Sequence, residues 1–228
     1  MTYQWLLFDA DGTLFDYDRA ETAALKASFA QFDLPFDLTS SDTYRKVNSA
    51  VWADFEQGKI TVTQLRTVRF ERLFTALNLD VDAETFSTAY LNQLGARGDL
   101  IPGVDALVEA CYGRYQLMII TNGLKDVQRK RLAHSKLGKY FVDIIISDEI
   151  GSAKPDSKIF DVAFARMGNP QRDDVLMIGD SLTSDMQGGL NYGIDTCWYN
   201  PQQRPLPTDL PLTYQIQQLA ELKTILDL

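Results

Sequence analysis

Apolar positions along the chain follow two different periods. Five short runs, Trp5–Phe8, Leu117–Ile120, Asp143–Ile146, Val175–Ile178 and Thr196–Tyr199, are nearly continuous and end in small or polar residues. Runs of that length predict strands buried on both faces. Between the later runs, Val104–Tyr112, Lys125–Leu137, Ser157–Met167 and Ser184–Tyr192 have the length and apolar spacing of helices that cover a sheet, with Gly123, Gly151 and Gly193 in the turns. Alternating strands and helices predict a mostly parallel α/β sheet.

The stretch from about Asp16 to Gly98 breaks this alternation. It holds no strand run, and Leu25, Phe29 and Phe32, then Tyr44, Val47, Val51 and Phe55, then Leu73 and Leu77 recur at three- and four-residue spacing. The spacing predicts a helical bundle inserted after the first strand, with breaks near Pro35, Gly58 and Asp80. Ile101-Pro102-Gly103 returns the chain to the sheet. A Pro- and Gln-rich connection over Gln202–Pro211 leads to a last helix predicted over Ile216–Leu226.

Composition narrows the classes of function. A formal charge of -9 over 228 residues argues against a nucleic-acid polymer or an anionic membrane as partner, since both are held by clustered Lys and Arg. Cys111 and Cys197 lie far apart without metal-type spacing, which predicts reduced, buried thiols. The start of the chain lacks a basic leader and no apolar stretch is long enough to span a bilayer, so the expected location is cytoplasmic.

Ligands of open parallel sheets bind beyond the carboxyl ends of the strands. Four such ends carry unusual residues: Asp9-Ala10-Asp11-Gly12-Thr13, Thr121-Asn122-Gly123, Lys154-Pro155, and Gly179-Asp180 with Asp185. An Asp-x-Asp-Gly alone also fits an ordinary turn, and Asp180 and Asp185 alone also fit helix caps. Brought to one edge, however, Asp9, Asp11, Asp180 and Asp185 would repel unless a cation neutralised them. All-oxygen donors favour Mg²⁺, for which Mn²⁺ can substitute. Thr121, Asn122 and Gly123 offer a hydroxyl, an amide and successive N–H groups to an anion. Lys154 reads either as a solvated charge at a helix start or as a partner of that anion, and His134, placed mid-helix, reads as a packing or solvent residue.

In this order the four segments resemble the motifs of the haloacid dehalogenase superfamily. The resemblance implies a Rossmann-like parallel-sheet core domain, residues 1–15 and 99–228, with an inserted α-helical cap domain of the first type, residues 16–98. It also implies roles: Asp9 as a nucleophile that becomes an aspartyl phosphate, Asp11 as acid and base, and Asp9, Asp180 and the Asp11 carbonyl as metal ligands with Asp185 nearby. Thr121, Asn122 and Lys154 are then expected to hold the phosphoryl oxygens. An acid at position 11 favours phosphate-ester hydrolysis or mutase chemistry. Val47–Thr61, Arg69-Phe70-Glu71, Ile119–Gly123 and Thr196-Cys197-Trp198 look like the bacterial pyrimidine nucleoside 5'-monophosphatases. That likeness implies dUMP, dTMP, UMP and noncanonical analogues as substrates, with Trp52 and Phe55 among the substrate-binding residues. From periodicity alone, Trp52 and Phe55 are simply the core of the insert. The alternatives are a phosphatase or mutase for sugar phosphates or phosphoglycolate, and a non-catalytic module that binds a phosphorylated ligand. The expected partner is a small phosphate monoester, a nucleotide by the resemblance, and the chain is expected as a monomer or homodimer.

Overall fold

A computed structural model of the chain describes residues 3–206 and 210–228. It divides into two compact units, Met1–Tyr17 with Gly98–Leu228, and Asp18–Arg97.

The first strand, β1 (Trp5–Phe8), is followed by the helical unit: α1 (Tyr17–Gln31), α2 (Leu38–Glu56), α3 (Val62–Leu77) and α4 (Ala83–Gly95). The starts of α2, α3 and α4 each have a local cause. Asp37 accepts the Ser40 N–H at 2.8 Å, Thr61 and Gln64 form a reciprocal capping box, and Asp82 accepts the Thr85 N–H at 2.8 Å. The core of this unit is aromatic: Phe86 meets Phe29, Phe70 and Phe74 at centroid distances of 5.5, 5.0 and 4.9 Å. The inward stripe of α2 differs from the expected one. Tyr44 and Val51 are buried, but the residue between them is Asn48, whereas Val47 and Phe55 are only half-buried. The helical period of 3.6 residues places position 48 on the line from 44 to 51, and the Asn48 amide is accepted there because it bonds Glu21 at 3.1 Å.

After the helical unit the chain continues through α5 (Val104–Cys111), β2 (Gln116–Thr121), α6 (Lys125–His134), β3 (Asp143–Ile146), α7 (Ser147–Ile150) and α8 (Ser157–Arg166). Then come β4 (Val175–Gly179), α9 (Gln187–Tyr192), β5 (Asp195–Tyr199), β6 (Tyr214–Ile216) and α10 (Leu222–Ile225). The strands form one sheet in the order β3-β2-β1-β4-β5-β6, every pairing parallel. The expected parallel α/β sheet is thus present, and β1 lies at the point where strand order reverses. Strand alternation fills both faces. Leu6, Phe8, Ile119 and Ile178 pack with Val104, Leu107 and Leu222 on one side. Leu7, Met118, Ile120 and Met177 pack with Ile159, Phe160 and Phe164 on the other. Each such side chain contributes roughly 1.5–3 kcal/mol on burial, so the central strands are the most firmly held part of the unit.

Four local expectations are corrected. The last helix is shorter than Ile216–Leu226, because Tyr214–Ile216 pairs with β5 as a sixth strand. Glu221 Oε1 accepts the Gln217 and Gln218 N–H groups at 2.8 and 2.6 Å, so helical winding starts only beyond them. Lys125–Leu137 is helical only to His134, which puts the histidine at an exposed helix end rather than mid-helix. The Ser184–Tyr192 helix is preceded by one π-helical turn, Leu182–Met186, that takes in its first residues. Lys154 and Pro155 both precede the Asp156 cap of α8, so the lysine does not stand at the helix start. The connection predicted over Gln202–Pro211 lies partly outside the described residues, at 207–209. Among the described residues, no helix is long and apolar enough to cross a membrane.

Candidate active site

Residues at the carboxyl ends of β1, β2 and β4 and in the loop after α7 meet at one edge of the sheet. The Asp9 N–H donates to the Ile178 carbonyl at 2.9 Å, which continues the β1–β4 ladder one residue beyond the strand. The chain then turns tightly, with the Leu14 and Phe15 N–H groups both donating to the Ala10 carbonyl at 2.9 and 2.8 Å. Gly12 makes this turn at φ +84, where a Cβ would stand 2.8 Å from Asp180 Oδ2. Only glycine suits both the backbone angle and the close carboxylate.

Lys154 is the hub of the charged cluster and is almost fully buried. Its Nζ donates to Asp9 Oδ1 at 2.6 Å and to the Ile120 carbonyl at 2.7 Å, and it pairs with Asp185 Oδ1 at 2.7 Å. Asn122 holds the lysine's backbone from both sides: Nδ2 donates to the Lys154 carbonyl at 2.8 Å, and Oδ1 accepts the Lys154 N–H at 2.7 Å. The Asn122 side chain is therefore committed to positioning Lys154. What remains for an anion is its backbone N–H and the Thr121 hydroxyl. Asp185 also accepts the Ser181 N–H at 3.0 Å, and the Asp180 carbonyl accepts from the Trp198 indole and from Arg204 at 3.0 and 2.7 Å.

Asp9, Asp180 and Asp185 each present one carboxylate oxygen within 4.8 Å of the others. Burial pushes the Asp9 carboxyl well above its ordinary range; Lys154 opposes that rise, while Asp185 and Asp180 add to it. Burial likewise raises Asp180 to about 7, with Asp185 adding to it and Arg204 and Lys154 opposing. Burial alone would lower the Lys154 ammonium, but Asp185 and Asp9 outweigh it and hold the ammonium above its ordinary value. Lys154 pairs with two of the three carboxylates, Asp9 and Asp185, Asp180 is opposed by Arg204 and Lys154, and the donors of the cluster are hard oxygens. A small oxygen-seeking divalent cation fits that set of donors.

Asp11 faces a different set of partners. Its Oδ2 accepts from Gln128 Nε2 at 2.6 Å, and its Oδ1 pairs with Arg131 Nη1. Gln128 Nε2 also lies 3.4 Å from Thr121 Oγ1, and a Cβ on Gly123 would run into the Gln128 amide. The expected Asp11, Thr121 and Gly123 therefore meet around Gln128, a residue that strand-end reasoning did not reach, as it did not reach Arg131 or Arg204. A signal existed: α6 has few apolar residues, and its buried face consists of Val127, Gln128 and Arg131. Buried polar residues are more informative than exposed apolar ones. Trp52 and Phe55 lie on α2 of the helical unit, half-buried and edge-to-face at 5.8 Å.

A family model described as haloacid dehalogenase-like hydrolase matches residues 6–199. The chain is 38% identical over 226 residues to the pyrimidine 5'-nucleotidase YjjG of Escherichia coli, covering 99% of each. It is 36% identical over 228 residues to the pyrimidine 5'-nucleotidase PynA of Streptococcus pneumoniae, covering 100% of this chain and 96% of that protein. The crystal structure of the HAD-hydrolase YfnB from Bacillus subtilis, bound to magnesium and displaying interdomain movement, is similar with a TM-score of 0.94 and 35% identity over 100% of both chains.

Proposed function

The chain belongs to the haloacid dehalogenase-like hydrolases, and from that premise we propose that it is a magnesium-dependent phosphatase for pyrimidine nucleoside 5'-monophosphates such as dUMP, dTMP and UMP. The observation that carries the chemistry is the meeting of Asp9, Asp180 and Asp185 around Lys154, with a second acid, Asp11, two residues beyond the first. The pyrimidine class rests on the full-length likeness to YjjG and PynA.

In this reading Asp9, Asp180 and the Asp11 carbonyl hold Mg²⁺, with Asp185 beside them. When bound, the ion supplies positive charge to the phosphoryl oxygens and to the crowded carboxylates. An Asp9 carboxylate oxygen attacks phosphorus and forms an aspartyl phosphate as the ester P–O bond breaks. Asp11 gives a proton to the departing oxygen, then takes one from the water that attacks the aspartyl phosphate and frees Asp9. Lys154 sits beside Asp9, where charge builds on the transferred group, and Thr121 Oγ1 with the N–H groups of Asn122 and Gly123 takes the remaining oxygens. We assign the role of a cap to the helical unit, and substrate selection within it to Trp52 and Phe55.

The test is phosphate release with Mg²⁺ from dUMP, dTMP, UMP, purine nucleotides, sugar phosphates and phosphoglycolate, run beside Asp9→Asn. We expect pyrimidine nucleotides to be turned over fastest, chelator to stop the reaction, and the variant to be silent. Faster turnover of sugar phosphates would overturn the substrate class, and appreciable turnover by Asp9→Asn would overturn covalent catalysis.

A further inference from the structure

We propose that Gln128 and Arg131 are positioning residues that orient the Asp11 carboxyl group for proton transfer, an inference that rests on the acid–base role assigned to Asp11 above. Both residues lie on the buried face of α6, three positions apart, with relative exposures of 1% and 0%. Filling that face would require only apolar side chains, and burying an amide and a guanidinium there is unfavourable unless they are matched by partners. Both direct donors to the same group: Gln128 Nε2 to Asp11 Oδ2 at 2.6 Å, and Arg131 Nη1 to Asp11 Oδ1. The two oxygens of Asp11 are therefore held from two directions, which fixes both the position and the plane of a side chain that is itself part-exposed.

The clamp is braced from behind. The Arg131 guanidinium lies 4.6 Å from the centroid of the Phe15 ring, and the Phe15 N–H is tied to the Ala10 carbonyl within the turn that carries Asp11. Gln128 extends the clamp to the anion cradle through Thr121 Oγ1 at 3.4 Å. Its Oε1 is buried without a hydrogen-bond partner among the described residues, an arrangement that packing alone does not explain. Across the reaction the proton inventory balances. Asp11 gives its proton to the ester oxygen as that P–O bond breaks, stands as a carboxylate held by both donors, and regains a proton from the attacking water. A misplacement of about 1 Å in such a group is enough for roughly a hundredfold loss of rate.

The test compares kcat/KM for phenyl phosphate and p-nitrophenyl phosphate, esters of similar size whose leaving groups differ in their need for a proton. Asp11→Asn, Gln128→Leu, Arg131→Met and Arg131→Lys are measured with the wild type, and crystal structures of the Gln128 and Arg131 variants are determined. We expect Gln128→Leu and Arg131→Met to lose roughly 10- to 100-fold on phenyl phosphate and less than about 3-fold on p-nitrophenyl phosphate, following the selectivity of Asp11→Asn. Arg131→Lys should recover most of the loss, and Asp11 should adopt another rotamer in the Leu and Met variants. Equal losses on both esters, no loss on either, or an unmoved Asp11 would overturn the inference while Asp11→Asn remained selective. Lack of selectivity in Asp11→Asn itself would instead overturn the acid–base reading. Gln128→Leu removes no charge, so it decides the matter even if Arg131→Met fails to fold.

Discussion

Each unit of the chain buries charged side chains, and the two sets are balanced differently. In the helical unit Glu21, 4% exposed, accepts from Asn48 at 3.1 Å and pairs with Arg45 at 3.7 Å. Asn48 in turn accepts from the buried Arg69 at 3.5 Å, whose guanidinium lies 5.1 and 5.3 Å from the rings of Phe70 and Tyr90. Here positive charge at least matches negative, and the group is closed within a core of aromatic rings. In the sheet unit Asp9, Asp180 and Asp185 cluster at a strand edge, and the buried Lys154 pairs with only two of them, Asp9 and Asp185. A buried set that is internally neutralised holds a fold together. One that is not neutralised leaves charge for an added partner to offset, which is the feature the proposed function uses.

The sharpest way to break this comparison is to remove the buried cation of each set, Lys154 or Arg69. Lys154→Met leaves Asp9 and Asp185 buried and unpaired, so the metal-free protein is expected to lose about 3–5 kcal/mol in urea unfolding, together with phosphate release. Magnesium should return part of that stability, because an ion that binds only the folded state stabilises it by mass action. A variant as stable as the wild type in chelator would mean that the lysine does not offset the carboxylates.

Arg69→Met is the matched change in the helical unit. The expected loss is smaller, about 2–3 kcal/mol, since Arg45 and Asn48 still face Glu21. The increase in melting temperature on adding Mg²⁺ should stay as in the wild type. A changed magnesium response would show that the two buried sets are not independent.

How much of this arrangement could be read in advance differs between the sets for a physical reason. Parallel strands place their ends at one edge, so Asp9, Asp180 and Asp185 could be gathered from strand runs and spacing, whereas Lys154, in the loop after α7, stayed open between a solvated charge and a partner of the anion until the resemblance gave it a role. Gln128 and Arg131 sit inside a helix, where polar residues are by default assigned to solvent, and only the packing of α6 shows that they face inward. Asn48 escaped for the same reason, because an apolar stripe was drawn through Val47 instead. The strand Tyr214–Ile216 is three residues long, too short to carry a period of its own. Asn122 could be placed at the site, but its commitment to the Lys154 backbone depends on a contact 32 positions away in sequence.

Asp180→Asn reverses the sign of the stability effect. Burial and Asp185 raise the Asp180 carboxyl to about 7, so the folded protein binds a proton there more tightly than the unfolded chain does. An acid raised in this way leaves stability intact below the unfolded value near 4, lowers it as pH rises from there to about 7, and exerts its full penalty above. The metal-free variant is therefore expected to be about 2 kcal/mol more stable than the wild type at pH 8 and no more stable near pH 4. Its stabilisation by Mg²⁺ should shrink as well. Urea melts across that range, with and without the ion, check both halves; an advantage that persisted at pH 4 would trace to packing rather than charge.

The smallest effect belongs to ionisable groups that are buried without charge. Cys111 on α5 and Cys197 on β5 lie in the same apolar cluster beneath the sheet. Burial pushes each thiol up to about 12; Lys223 opposes the rise at Cys111, and Glu221 adds to it at Cys197. Because a raised thiol exerts its penalty only above its ordinary pKa of about 8.5, neither cysteine is expected to make stability depend on pH below that point. At pH 8 burial therefore holds both thiols in the protonated form, which does not react. A thiol-reactive disulfide reagent is therefore expected to label neither cysteine in the folded protein and both in urea, while Cys→Ala at either position lowers stability by about 1 kcal/mol through lost packing. Rapid labelling of the folded protein would show that one thiol sits in a polar, accessible pocket, and would remove the distinction between neutral burial and the charged cluster around Lys154.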